Sequence, residues 1–173
     1  MKLSKKFSLA LVAISFISLS ACGGSDKKTE TTTTESSTIG QEYEEMTPMA
    51  KNVIEIEGND QMQFNLNELR VNAGEKITLT LKHVGKLSKD AMGHNFVVLK
   101  PGTDIQDFSL KAVDAKETNY VAKSEEALVI AHTKVLGGGE SDTIEFTVEA
   151  GTYDFICSFP GHSGMMKGKL IAE

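Results

Sequence analysis

Ten residues near the C-terminal end, CSFPGHSGMM (157–166), concentrate side chains that bind metals. Cys157 opens the stretch, His162 follows five positions later, and Met165 and Met166 follow eight and nine positions after the cysteine. Thiolate, imidazole and thioether are soft donors of the kind copper takes, and its reduced state favours them most. Pro160-Gly161 marks a tight turn between them, which would let Cys157, His162 and Met166 converge on one point. A trigonal site needs a second imidazole, and the segment AMGHN offers His94. Two histidines, one cysteine and a weak axial methionine make the donor set of a blue-copper electron-transfer site. The same His/His/Cys trio admits zinc, but zinc gives no reason for Met166 at that spacing.

Strands must bring these loops together. TYDFIC runs into Cys157 and KGKLIAE starts at Lys167, so the soft-donor loop joins two strands; HNFVVLK carries His94 at the mouth of a third. NVIEIE, EKITLTLKHV and DTIEFTVE alternate apolar and polar residues with the period of half-buried strands. Turn signals separate them at Gly58-Asn59-Asp60, Ala73-Gly74, Pro101-Gly102, 137–139 and Ala150-Gly151. One stretch breaks the pattern: TDIQDFSLKAVDAKE places Ile105, Phe108 and Ala112 on a helical face, with Thr103 and Gln106 at capping-box spacing. Seven or eight short strands with one helical insertion predict an antiparallel, all-β sandwich over residues 51–173.

The first 50 residues are of another kind. Lys2, Lys5 and Lys6 precede an apolar run from Phe7 to Leu19, the pattern of a signal peptide and short for a membrane span. The following LSAC resembles the lipobox of bacterial lipoproteins, which implies cleavage of residues 1–21 and lipidation of Cys22. Residues 22–50 are rich in Thr, Ser and Glu, a composition that does not offset the entropy of ordering and predicts a flexible tether. A flexible chain of that length spans about 30 Å.

Charge narrows the function classes. The 173-residue chain carries 18 Lys+Arg against 24 Asp+Glu, a net −6. Removal of residues 1–21 takes three lysines and no acid, which leaves −9. Such a surface does not favour nucleic acid. With Cys22 lipidated, Cys157 has no disulfide partner, and a lone thiol in an exported protein calls for an occupant.

Four segments, GNDQMQFN, AMGHNFVVL, VIAHTK and CSFPGHSGMMKGKL, together resemble the azurins, single-domain cupredoxins, with matching order and spacing over nearly all of residues 52–173. The resemblance implies an eight-stranded Greek-key sandwich with one type 1 copper at its end. It implies His94, Cys157 and His162 as equatorial ligands, Met166 as the long axial ligand, and the carbonyl of Gly93 facing copper from the opposite side. It further implies backbone N–H donors from Asn95 and Phe159 to the Cys157 sulfur, a tie between Asn95 and Ser158, and a buried, non-ligating His83 near the metal. By the same resemblance, Met62, Leu87, Met92, Phe159 and Met165 ring the edge of His162 as a docking patch for redox proteins such as c-type cytochromes or copper-containing reductases. His132 reads as a surface residue. Two family features are missing: the positions of the azurin disulfide hold Asn52 and Gly74, and Phe96 stands in place of the core tryptophan.

Three function classes follow. A monomeric electron shuttle, held to the cell envelope only by its lipid and facing the periplasm or the exterior, fits the whole pattern. A copper carrier or storage lipoprotein would use a more open Met- and His-rich site. A copper enzyme needs further ligands and a second domain, and four histidines are too few.

Overall fold

The computed structural model describes residues 52–173. The signal segment 1–21, Cys22, the tether and Lys51 lie outside the described residues. Nine strands appear among them: β1 (Val53–Asn59), β2 (Gln63–Phe64), β3 (Glu68–Val71), β4 (Ile77–His83), β5 (Val97–Leu99), β6 (Val129–His132), β7 (Ser141–Phe146), β8 (Gly151–Ile156) and β9 (Lys167–Ala172). They form two sheets, ordered β2-β1-β4-β7 and β3-β9-β8-β5-β6. The expected β-sandwich is present. Its sheets are not wholly antiparallel, however, because β1 pairs with β4 and β3 with β9 in parallel.

Alternation builds the core. Ile77, Leu79, Leu81 and His83 of β4 are buried while Thr78, Thr80 and Lys82 are half-buried, so one face of the strand fills the space between sheets. Phe96 stacks on Phe155 at 4.8 Å, and Phe64 meets both edge-on at 6.1 and 5.8 Å. Three phenylalanines thus supply the aromatic mass of a core without tryptophan.

β5 is buried on both faces. Val98 points into the sandwich, while Val97 and Leu99 join Phe108, Val121 and Ile156 in a second cluster on the sheet's outer face. That cluster is roofed by helix α2 (Ile105–Ala112), which follows the four-residue helix α1 (Lys89–Met92) in the chain. Phe108 and Ala112 are the buried residues of α2, as the helical spacing predicts. Its cap is Asp104 rather than the expected Thr103. The Asp104 carboxylate accepts from the N–H groups of Gln106 and Asp107 at 2.8 and 3.0 Å, and Thr103 turns away to the Lys100 carbonyl. Lys111 of α2 pairs with the nearly buried Glu125 at 3.0 Å and fastens the helix to the 3-10 segment Lys123–Leu128.

At the position of the missing disulfide, hydrogen bonds do the stitching. Asn52 Oδ1 accepts from Asn72 N at 2.8 Å, its amide donates to Glu75 at 3.2 Å, and its carbonyl accepts from Thr78 N at 2.7 Å. Among the described residues Cys157 is a free cysteine. None of their helices is long and apolar enough to cross a membrane.

Candidate metal centre

Strand register gathers the site. β5 and β8 are antiparallel neighbours with Val97 opposite Ile156. The residues just before β5 and just after β8 therefore leave the sheet side by side, which sets His94 next to Cys157. β8 and β9 pair Ile156 with Lys167, so the loop 157–166 must close on itself. It does so through Cys157 N to Met166 O at 2.8 Å, His162 N to Phe159 O at 3.0 Å and Met166 N to His162 O at 2.8 Å. β1 reaches the same end, with Gly58 opposite His83.

His94 and Cys157 are fully buried, and His162 is 4% exposed. The two histidine Nδ1 atoms lie 3.2 Å apart, and Cys157 Sγ is 3.6 Å from that of His162 and 4.0 Å from that of His94. A cation about 2.0–2.3 Å from each of three such donors holds them roughly 3.3–3.8 Å apart at tetrahedral to trigonal angles. The 3.6 Å spacing lies inside that range and the 3.2 and 4.0 Å spacings within about 0.2 Å of it, so small side-chain shifts suffice for the trio to hold a single small ion. Among the described residues, these ligand atoms form the group that lies mutually close enough to hold a metal ion.

Outer contacts fix the ligands. His94 Nε2 donates to the Asn59 carbonyl at 2.8 Å, which leaves Nδ1 with a lone pair toward the site. Asn59 was visible in the sequence only as part of a turn; a backbone acceptor has no side-chain signature. Gly58 lets the strand approach: a Cβ there would sit 2.9 Å from His94 Cδ2 and 3.4 Å from Met166 Cε. The Gly93 carbonyl lies 4.0 Å from Cys157 Sγ, and a Cβ on Gly93 would meet Lys89 O, Val135 Cγ1 and Phe159 Cδ2 at 2.5, 2.6 and 2.7 Å. Met166 is fully buried in one cluster with Cys157 and Phe159. Met165 is 60% exposed. Backbone N–H groups of Asn95 and Phe159 point at the cysteine sulfur. Asn95 and Ser158 are tied twice, Asn95 Nδ2 to Ser158 Oγ and Ser158 N to Asn95 Oδ1, each at 2.8 Å.

The remaining expected residues fall around this centre. His83 is buried and stacks on His94 at 4.4 Å, yet its Nε2 meets the Met92 carbonyl at 2.7 Å and its Nδ1 accepts from Gly85 N at 3.1 Å. Both ring nitrogens are thereby engaged away from the site. His132 lies at the end of β6, half-buried, with Nδ1 on the Thr133 carbonyl. Met62 packs against the Cys157 cluster, and Phe159 touches His162 at 4.7 Å between ring centres. Phe159 is itself buried, so it backs the histidine rather than rimming it. Leu87 is exposed in the loop before α1, and Met92, the last residue of α1, is half-exposed.

Burial sets the protonation. It pushes the Cys157 thiol up to about 12, against the pull of the Asn95 and Phe159 N–H groups. It pushes His162 down to about 4, with help from His94 and His83, and lowers His94 as well. At pH 7 the metal-free site therefore holds a protonated thiol and two neutral imidazoles. Metal loading in weak buffer at that pH should release about one proton per site, and apparent affinity should rise about tenfold per pH unit around neutrality. Potentiometric titration measures this; release of two protons, or of none, would contradict the assigned states.

A two-sheet β-sandwich that buries one thiol between two imidazoles at the end of its strands defines the cupredoxins, single-copper electron-transfer proteins. The chain belongs to the plastocyanin/azurin family of copper binding proteins, whose pattern it matches over residues 50–173. It is 48% identical over 120 residues to azurin of Achromobacter denitrificans, covering 66% of this chain and 80% of that one. It is 47% identical over 126 residues to azurin of Pseudomonas denitrificans, covering 69% and 97%. Among solved structures it is similar to an azurin of Methylomonas sp. strain J, with TM-score 0.64 and 32% identity over 72% of this chain and 99% of the other. Dithionite-reduced auracyanin of Roseiflexus castenholzii matches equally, with TM-score 0.63 and 32% identity over 72% and 98%. Copper is accordingly the ion of the His94, Cys157 and His162 site, and the chain is a blue-copper electron-transfer protein that works with redox partners, not an enzyme.

Proposed function

We propose that this protein is a lipid-anchored shuttle of the bacterial cell envelope, carrying single electrons between redox partners that dock over His162. The observation that carries the reading is the sealed ligand trio, of which His162 alone keeps any exposed surface. Copper held there supplies a one-electron couple. The chain's own residues keep the site dry and its loops fixed, so the ligands have little to rearrange when the charge changes. Met166 would complete the ligand set and the Gly93 carbonyl would lie beside the ion; burial of Met166 and the 4.0 Å approach of Gly93 to the sulfur support both roles. A copper carrier must release its ion, and full burial of Cys157 and His94 opposes release.

Residues 1–21 act as the signal peptide, Cys22 is the lipidated N-terminus, and 22–50 tether the domain 51–173 to the membrane surface. The support is the LSAC segment behind a basic and then apolar leader. Detergent-phase partitioning of wild type against Cys22→Ala tests the anchor: wild type should enter the detergent phase and the variant the aqueous one. Equal partitioning would remove the claim.

Met62, Leu87, Met92 and Met165 form the docking surface, with Phe159 beneath. An apolar face sheds water readily and admits a small, transient interface of the kind redox proteins use, which suits a c-type cytochrome or a copper-containing reductase as partner. The acidic balance elsewhere, in a monomer, keeps molecules apart except at this face. Met92→Lys should leave the visible spectrum unchanged and slow electron self-exchange about tenfold at low salt, because two like charges would meet at the contact. NMR line broadening measures the rate; an unchanged rate would place the exit on another face.

A further inference from the structure

Asn119 and Tyr120 both hold left-handed backbone, with φ of 58° at each. Two successive residues with a Cβ in this region, one of them bulky, persist only where their surroundings over-determine them. Those surroundings belong to the metal centre. The Asn119 carbonyl accepts from Asn95 Nδ2 at 2.7 Å, and the Tyr120 carbonyl accepts from Ser158 Oγ at 2.7 Å. Asn119 Oδ1 accepts from Val135 N at 3.1 Å, and Val135 is one of the three residues packed close against Gly93 beside His94. A third chain segment, distant from both ligand loops in sequence, thus reaches each partner of the Asn95–Ser158 tie.

The left-handed turn makes this possible. It turns two consecutive carbonyls toward the same pair of side chains, where extended backbone would point them to opposite sides. Without the turn, Asn95 Nδ2 and Ser158 Oγ would each lose an acceptor in a buried setting. The Asn95 side chain would then relax, and its backbone N–H with it, the group that points at the Cys157 sulfur.

We propose that the Asn119–Tyr120 turn braces the Asn95–Ser158 tie, with Asn119 as a positioning residue that sets the Asn95 N–H against the Cys157 sulfur and so tunes the reduction potential. The proposal rests on the reading of Cys157 as the copper thiolate. An N–H donor draws electron density from the sulfur, weakens its donation to the oxidised ion and favours the reduced state. Loosening the brace lowers the potential.

Asn119→Ala and Asn119→Gly separate the causes in the full-length protein. Alanine disfavours the left-handed turn; glycine adopts it freely and lacks only the Val135 contact. Asn119→Ala should shift the balance of affinities toward oxidised copper about threefold, or about 30 mV downward at 59 mV per tenfold. Asn119→Gly should stay within about 10 mV of wild type on the same scale. In the metal-free protein, the Asn95 amide NMR signal should move in the alanine variant and not in the glycine variant. A purely structural role would lower melting temperature and leave potential and amide shift alone. Wild-type values of both in folded Asn119→Ala, or equal shifts in the two variants, would overturn the proposal. A wild type that takes up copper without blue colour would instead overturn the thiolate reading, and this proposal with it.

Discussion

Replacing Cys157 with serine is expected to remove all of the intense visible absorption of the copper-loaded protein. The colour arises when electron density moves from the thiolate sulfur to oxidised copper, and a hydroxyl has no orbital of comparable energy to give. Serine nearly matches cysteine in size, so the loop held by Met166 O and the Asn95–Ser158 tie should still form. Losing a single outer-sphere partner of a metal ligand costs 10–100-fold in affinity as an order of magnitude. Losing the thiolate itself should cost more than about 100-fold, read by competition with a chelator. A serine variant that stays blue would overturn the assignment of Cys157 as the copper thiolate.

Copper is also expected to raise the thermal stability of the protein by more than about 10 °C. The ligands His94 and Cys157 lie 63 residues apart in the chain, so an unfolded chain does not present the trio together. An ion that binds only the folded state stabilises it by mass action, about 4 kcal/mol at a free concentration 1,000 times the dissociation constant. For a domain of this size about 1 kcal/mol moves the midpoint by several degrees. No disulfide competes for the effect among the described residues, where Asn52 and its hydrogen bonds occupy the place of the family's bridge. Calorimetry of metal-free and loaded protein at equal pH checks this. Coincident melting curves would contradict it.

The His94, Cys157 and His162 trio was legible in the sequence because its chemistry lies in side chains. A Cys, a His and a Met in ten residues announce a soft metal, and strand patterns on either side fix where the loop begins and ends. β4 was legible for the same reason, since strict alternation survives when only one face is buried. β5 was found as a strand but not as one buried on both faces; only the presence of α2 over Val97 and Leu99 explains its continuous apolar run. β6 escaped because all four of its residues are half-buried, which leaves no alternation to see. β2 is two residues long and carries no period at all. The contacts that orient the ligands were the least visible. The Asn59 carbonyl behind His94 and the carbonyls of Asn119 and Tyr120 are backbone groups, identical in every residue type, and only the fold decides where they point.

One measurement bears most directly on the central claim: the visible spectrum of the copper-loaded wild-type protein through repeated cycles of reductant and oxidant. Copper held by the three ligand atoms, spaced 3.2, 3.6 and 4.0 Å apart in a buried site with one of them a thiolate sulfur, should give an intense blue band in the oxidised state. The band should vanish on reduction and return in full on oxidation, cycle after cycle, with one copper per chain throughout. A colourless loaded protein, or a band that fades as copper is lost on the first reduction, would contradict the account.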